Sequence, residues 1–244
     1  MDSNKKAHII IISTKNNPYL NAIITSNLAA ELAYEGLKIA IANSDGSDLP
    51  LSNFLKIRKN FEKIKNLPPL SEFSMTEANF IEKIQYFDAI IIPSLGDKND
   101  FKSSFFMADT LITITDEKNS FSMFSNPEPS KKNFLQPSAY TNFIWEIKKH
   151  LALSQKKSLN WAVIPYVSTE IFNQQQRFLH EIAKHYGFRV SPNFIPRKIM
   201  EDILLKGLTL FDLKNMKELD SLEKLGAKRD CRKIAEFVLN LQKK

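Results

Sequence analysis

Three short loops hold the residues of this sequence that could do chemistry, each lying directly after a run of β-branched residues. Ser13-Thr14-Lys15-Asn16-Asn17-Pro18-Tyr19-Leu20-Asn21 follows the first run, Asn43-Ser44-Asp45 the second, and Pro93-Ser94-Leu95-Gly96 the third. A loop between strand and helix holds phosphate when glycines let successive N–H groups converge, a lysine neutralises charge and a hydroxyl binds magnesium. The first loop is short of all of these: it has no glycine and one lysine, and Pro18 removes an N–H. The plainer reading makes Lys15 a solvated loop lysine, and Asp45 and Gly96 turn formers. His8, His150, His180 and His185 show no metal-ligand spacing, and the lone Cys231 forms no Cys-x-x-Cys pair. No residue is assigned to catalysis or to a metal.

The elements that must position these loops alternate between short β-branched runs and longer amphipathic stretches, which predicts an α/β fold: a doubly wound, mostly parallel sheet with helices on both faces. His8 to Ser13 reads as the first strand. Asn21 to Tyr34 reads as a helix with Ile23, Ile24, Leu28, Ala29 and Leu32 on one face, ended by Gly36. Lys38 to Ala42 is the second strand, and Leu51 to Lys65, with charged residues between its apolar ones, a surface helix. Ser74, with Glu77 three residues on, predicts a capped helix to Tyr86. Ala89 to Ile92, Thr110 to Thr115, Trp161 to Ile164 and Phe188 to Val190 read as strands. Asp116 to Pro137 reads as a surface excursion. Ser138 to Gln155, Thr169 to Tyr186 and two closing stretches, 198 to 206 and 214 to 242, read as helices. In an open α/β sheet ligands sit at the carboxyl ends of the strands, where the three loops fall. Residues 1–244 are expected to form one domain.

With 43% hydrophobic residues in 244, the chain can bury a full core without disulfides. One cysteine suits a reducing cytoplasm, and no apolar run approaches the ~18 residues of a membrane span. The net charge of +7 is mostly lysine.

The wording of the chain resembles the MipZ branch of the ParA/MinD family of deviant P-loop ATPases. The first loop, the helix containing Ser26-Asn27-Leu28-Ala29-Ala30-Glu31-Leu32 and Glu35-Gly36-Leu37-Lys38-Ile39-Ala40 are similar to ParA/MinD. Gln136-Pro137-Ser138-Ala139-Tyr140, Trp145-Glu146, Asn160-Trp161-Ala162-Val163, Gly187-Phe188-Arg189-Val190 and Lys206-Gly207-Leu208-Thr209-Leu210-Phe211-Asp212-Leu213 look like MipZ in order and spacing. The resemblance implies dimerising ATPases that use ATP and Mg, track chromosome-bound ParB, bind DNA without sequence preference and inhibit FtsZ, thereby placing the septum. It also implies what has been lost. Lys15 keeps the family's first lysine, Asn17 stands for a glycine, Leu20 for the phosphate lysine and Asn21 for the magnesium-binding hydroxyl. Of the Asp-x-Asp after the second strand, Asn43 replaces one carboxylate and Asp45 keeps the other. Gly96 alone survives of Asp-Thr-x-Gly. These seven residues are read as a vestigial nucleotide site.

Losing one partner of a desolvated charge pair costs about 3–5 kcal/mol, and at ~1.4 kcal/mol per tenfold, ATP affinity is expected to fall by orders of magnitude. The chain is therefore expected to be a MipZ-like spatial regulator of cell division and chromosome partition, a pseudo-ATPase with no cofactor, acting through protein contacts with FtsZ and ParB-like partners. The rivals are a working ATPase with an atypical loop and a non-catalytic partner of an intact homologue; a homodimer remains open. Lys228, Arg229, Arg232 and Lys233 flank an apolar stripe in the last helix, read as packing on the sheet rather than lying on a membrane. Where the family has a basic run, Asn173-Gln174-Gln175-Gln176-Arg177 is nearly uncharged, so DNA binding is expected to be weak. Long duplex should show little retention in a mobility-shift assay at physiological salt; tight binding that falls steeply with salt would overturn this.

Overall fold

A computed structural model describes residues 6–43, 49–75, 80–95, 102–116, 122–126, 136–215 and 222–242, and the account that follows is of those residues. Strands β1 (His8–Thr14), β2 (Ile39–Asn43), β3 (Ser71–Ser74), β4 (Ala89–Ser94), β5 (Thr110–Asp116), β8 (Asn160–Tyr166) and β9 (Arg189–Val190) form one sheet in the order β3-β2-β4-β1-β5-β8-β9. Every neighbouring pair in it is parallel. Two further strands, β6 (Ser125–Asn126) and β7 (Gln136–Pro137), make a small antiparallel ribbon.

Because side chains alternate across a strand, each strand serves two cores. Ile10, Ile12, Ile41, Ile91, Ile112 and Ile164 point to one face. That face is covered by α1 (Pro18–Tyr34), α2 (Leu49–Lys65), α7 (Lys198–Leu204) and α8 (Leu222–Gln242). Ile9, Ile11, Ile90, Ile92, Leu111 and Val163 point to the other. There α3 (Phe80–Ile84), α4 (Lys102–Phe105), α5 (Ala139–Gln155) and α6 (Thr169–Tyr186) pack. With strands buried on both faces, the near-continuous isoleucine runs of β1 and β4 follow.

Helix α1 is not the one-sided helix expected. Every residue from Leu20 to Leu32 is buried, because the sheet lies beneath it and α2, α7 and α8 pack around it. A helix covered all round needs small and uncharged residues on its outer faces, and Ala22, Ser26, Ala29 and Ala30 supply them. Asn27 joins the covering segment to it: its Oδ1 accepts from Leu210 N at 3.0 Å while its Nδ2 donates to Ile23 O at 2.8 Å.

Helix α2 corrects the surface-helix expectation in a more consequential way. Arg58 is fully buried, as is the Asp212 carboxylate it meets. Arg58 Nη1 donates to Asp212 Oδ2 at 2.6 Å and Nη2 to Oδ1 at 3.2 Å and to Pro68 O at 3.2 Å. Asp212 also accepts from Thr209 N (2.7 Å), Thr209 Oγ1 (2.8 Å) and Tyr34 OH (2.9 Å). Burial, and then the Asp212 charge, push the Tyr34 hydroxyl up, so it stays a donor. The segment reaches Arg58 because Gly207 takes a left-handed φ of 68° and lies so close to α2 that a Cβ there would sit 2.6 Å from Ile57 Cγ2.

Two other expectations change. Ser74 ends β3, whose residues pair with β2 from Ala40↔Ser71 to Asn43↔Ser74, while Glu77, its expected capping partner, lies outside the described residues. With Phe73 its one buried residue, Ser-Glu-Phe-Ser carries too little alternation to read as a strand. Within the supposed surface excursion, Met123 and Phe124 are buried. Phe124 stacks on Phe188 with ring centroids 4.9 Å apart, and Ser138 and Thr141 hydroxyls donate to Met123 O and Phe124 O at 2.6 and 2.8 Å.

The buried pair makes a sharp prediction. Asp212→Ala, which leaves the Arg58 guanidinium buried without its counter-charge, should lower the unfolding free energy by about 3–5 kcal/mol. Tyr34→Phe, which removes one hydrogen bond, should cost about 1 kcal/mol. Urea titrations of both check this; equal effects would show that the charge pair is not what matters.

Candidate functional site

The carboxyl ends of β1 and β4 lie side by side in the middle of the sheet, paired in register up to Ser13↔Ser94. The connection after β1 leads to β2, on one side of β1, and that after β4 leads to β5, on the other. Such a switch point is where an open parallel sheet leaves a crevice for ligands.

Here the turn that follows β1 is tied down by its own side chains. Strand β1 ends at Thr14 and α1 begins at Pro18, so only Lys15, Asn16 and Asn17 connect them. Asn16 takes the left-handed conformation at φ 53°, one that asparagine tolerates better than most residues. Asn17 caps the helix, its Oδ1 accepting from Leu20 N at 3.0 Å, and Pro18 occupies the first turn, where its missing N–H is no loss. Thr14 Oγ1 donates to Asn17 O at 3.2 Å and ties the turn to the strand.

Asn21 is the centre of this arrangement. It is fully buried. Its Nδ2 donates to Ile12 O at 3.0 Å and Ser94 O at 2.9 Å, with Thr14 Oγ1 at 3.4 Å, and its Oδ1 accepts from Thr25 Oγ1 at 3.1 Å. One amide thus clasps the ends of both strands to α1. Leu20, one residue earlier, is buried in the apolar core between sheet and helices.

Of the residues singled out in the sequence, the structure brings Asn17 and Asn21 into one hydrogen-bonded unit with Leu20 packed beside it. Lys15 lies half-buried in the turn and forms no ion pair among the described residues. Asn43 ends β2 and turns to α2, donating to Ser52 Oγ at 2.8 Å, so it does not join the Asn21 unit. Asp45 and Gly96 lie outside the described residues. Sequence reasoning missed the partners Thr14, Thr25 and Ser94; Thr25, four residues after Asn21 on a helix, was the available signal. Buried side-chain oxygens without a partner remain around the crevice at Ser13 Oγ, Asn43 Oδ1 and Thr115 Oγ1.

Other candidates fall away. His8 is at the opposite end of β1, beside Thr110 Oγ1 at 2.9 Å, with its pKa lowered by burial. Cys231 is buried, and burial pushes its thiol up, away from nucleophilic use. The apolar face of α8, including Ala227, Cys231, Ile234 and Val238, is buried in the same core as α1. Arg232 Nε reaches Glu31 Oε1 at 3.3 Å. Among the described residues no helix is long and apolar enough to cross a membrane.

A parallel sheet of this order, with a strand-turn-helix at its switch point, defines the class of ParA/MinD-type P-loop folds. Among solved structures, MinD of Aquifex aeolicus, seen in a MinC:MinD cell division complex, is 15% identical over 96% of each chain with a TM-score of 0.60. A variant of Cyanothece McdA in complex with ATP is 13% identical over 96% of this chain and 97% of that one, TM-score 0.59. The septum site-determining protein MinD of Pyrococcus horikoshii OT3, complexed with Mg-ADP, is 14% identical over 95% and 96%, TM-score 0.53. At such identities the likeness is one of fold. No curated protein matches the sequence. The family described as ATPase MipZ matches residues 24–242, nearly the whole chain, and the chain belongs to that family.

Membership corrects one expectation. No cofactor was expected, yet the family is one of ATPases and the MinD structure above holds Mg-ADP. Side chains missing from one loop speak only to one way of holding phosphate, not to whether the family uses nucleotide. The matched region begins at Ile24, past the first loop. The described residues of that loop do not fit the family's usual cradle: Pro18 has no N–H, Leu20 N is taken by Asn17, and Asn21 is consumed by backbone carbonyls. No step is derived through the nucleotide.

If the Asn21 clasp holds this region together, Asn21→Leu should destabilise the protein by about 2 kcal/mol or more, since it strips buried carbonyls of a donor. Leu20→Lys should cost at least as much by burying a charge. Lys15→Ala should stay within about 0.5 kcal/mol. Thermal melts of the three variants test the order; an Asn21→Leu protein as stable as the wild type would deny the clasp its role.

Proposed function

We propose that this chain is a spatial regulator of cell division and chromosome partition that acts through protein contacts and does not hydrolyse ATP. Family membership supports the regulatory role. The observation that carries the second half is the buried Asn21, whose amide bonds to Ile12 O and Ser94 O at the switch point. Hydrolysis in a phosphate loop needs a cation on the terminal phosphates and a hydroxyl for magnesium at the start of the helix. At that place α1 offers Leu20, packed into the core, and Asn21, engaged on every side. Hydrolysis, not nucleotide binding, is what this reading denies the protein.

Protein contact is supported by the fold neighbour MinD, which is seen in complex with MinC. FtsZ-like and ParB-like proteins are the partner classes the resemblance implies, and the reducing cytoplasm is where a chain with one buried, unpaired thiol would meet them. Residues 1–244 act, on this reading, as one unit.

Phosphate release from Mg-ATP should stay at the buffer level with or without DNA. In the host, removing the protein should misplace septa, while Lys15→Ala should leave them in place. Turnover that disappears in Lys15→Ala, accompanied by misplaced septa, would refute the proposal and restore a working ATPase.

A further inference from the structure

Helix α1 is held at its start by the ends of two strands and along its length by the elements around it. At the start, the Asn21 amide gathers three oxygens: Nδ2 lies 3.0 Å from Ile12 O, 2.9 Å from Ser94 O and 3.4 Å from Thr14 Oγ1. Backbone carbonyls and other neutral oxygens are among the ligands that hold a hard cation; here a neutral amide meets them instead. Thr25 Oγ1 donates to Asn21 Oδ1 at 3.1 Å and so orients the amide. Further along, Asn27 Oδ1 accepts from Leu210 N at 3.0 Å, Glu31 Oε1 from Arg232 Nε at 3.3 Å, and Asp212 Oδ1 from Tyr34 OH at 2.9 Å. The helix is thereby bonded to β1 and β4 at one end and to α8 and the segment before it at the other.

In phosphate-loop switches a terminal phosphate and its magnesium order segments that relax on hydrolysis. A ligand shifts such an equilibrium only by interacting differently with its two states. In the first turn of α1 the groups that could make that difference are engaged. Pro18 has no N–H, Leu20 N donates to Asn17 Oδ1 at 3.0 Å, and Asn21 N donates to Asn17 O at 3.1 Å. The Asn21 amide is spent on two carbonyls, and the Leu20 side chain is buried in the apolar core. For this turn to follow a phosphate it would have to break buried bonds it already makes, leaving carbonyls of β1 and β4 without a donor.

We propose that the Asn21 amide does in this chain what a bound ligand does in such a switch. It braces the ends of β1 and β4 against α1, so that the face built from α1, α2, α7 and α8 keeps one arrangement whatever nucleotide the chain carries. The inference rests on the reading that the chain acts through protein contacts, and adds that those contacts are not timed by a nucleotide state.

Amide hydrogen exchange of the full chain, read by mass spectrometry without nucleotide, with Mg-ADP and with Mg-ATP, tests this. Protection of residues 20–34 in α1 and 89–94 in β4 should differ by less than about twofold among the three conditions. Asn21→Ala should speed exchange at the start of α1 and the end of β4 by about tenfold or more, while residues 27–34 stay protected. Thr25→Val, which removes the donor to Asn21 Oδ1, should show a smaller rise at the same places, and it decides the point if Asn21→Ala does not fold. A larger change in the wild type on adding Mg-ATP overturns the proposal. So does wild-type exchange in folded Asn21→Ala, or in Thr25→Val where Asn21→Ala does not fold. The two readings fail separately: normal septa when the protein is removed would sink the regulatory role, while the exchange measurements by themselves decide whether α1 is fixed.

Discussion

The buried ion pair between Arg58 and Asp212 sets the geometry on one whole face of the sheet. A guanidinium and a carboxylate both removed from water are tolerable only when almost every donor and acceptor has a partner. Thr209, Tyr34 and Pro68 complete most of the set, while Arg58 Nε keeps only Glu62 Oε1 at 3.7 Å. Those partners come from α1, from α2 and the turn after it, and from the segment before α8, so satisfying the pair requires all of them to be in place together. Gly207 allows the necessary approach to α2, and Asn27 holds the same segment onto α1.

That constraint has a consequence at the switch point. With α2, α7 and α8 packed around it, α1 has little room to move, and its first turn meets the ends of β1 and β4 in a fixed place. The amide of Asn21 then bridges two backbone carbonyls that would otherwise point into a crevice. In a phosphate loop the same region is left open, with N–H groups waiting for an anion. In this chain the connection is tied by its own side chains: Asn17 caps, Thr14 anchors and Asn21 clasps.

The family relationship explains the sheet, the helices and the use of segments such as Lys206 to Leu213. In this chain the turn after β1 is held by Thr14, Asn17 and Asn21. That turn lies at the carboxyl end of the sheet, where a phosphate-loop protein would bind its anion.

Local patterning in the sequence was enough to establish the alternation of strand and helix, the parallel sheet and the position of the three loops, because isoleucine runs and helical stripes are short-range signals. Gly187 at the end of α6, left-handed at φ 73°, was equally legible. The degenerate first loop could be read from residue types alone. Other features depended on partners far away in the chain. Arg58 sits four residues after Phe54 and three before Phe61, on the apolar stripe of α2, yet among lysines and glutamates it reads as one more solvated charge. Only Asp212, 154 positions later, makes its burial favourable. Ser71–Ser74 becomes a strand because β2 presents an open edge to it, and Asn21 becomes a clasp because folding brings Ser94 beside Ile12. Hydrophobic periodicity reports which side of an element is buried; which polar groups end up facing each other is decided by the tertiary structure, where each buried donor must find an acceptor.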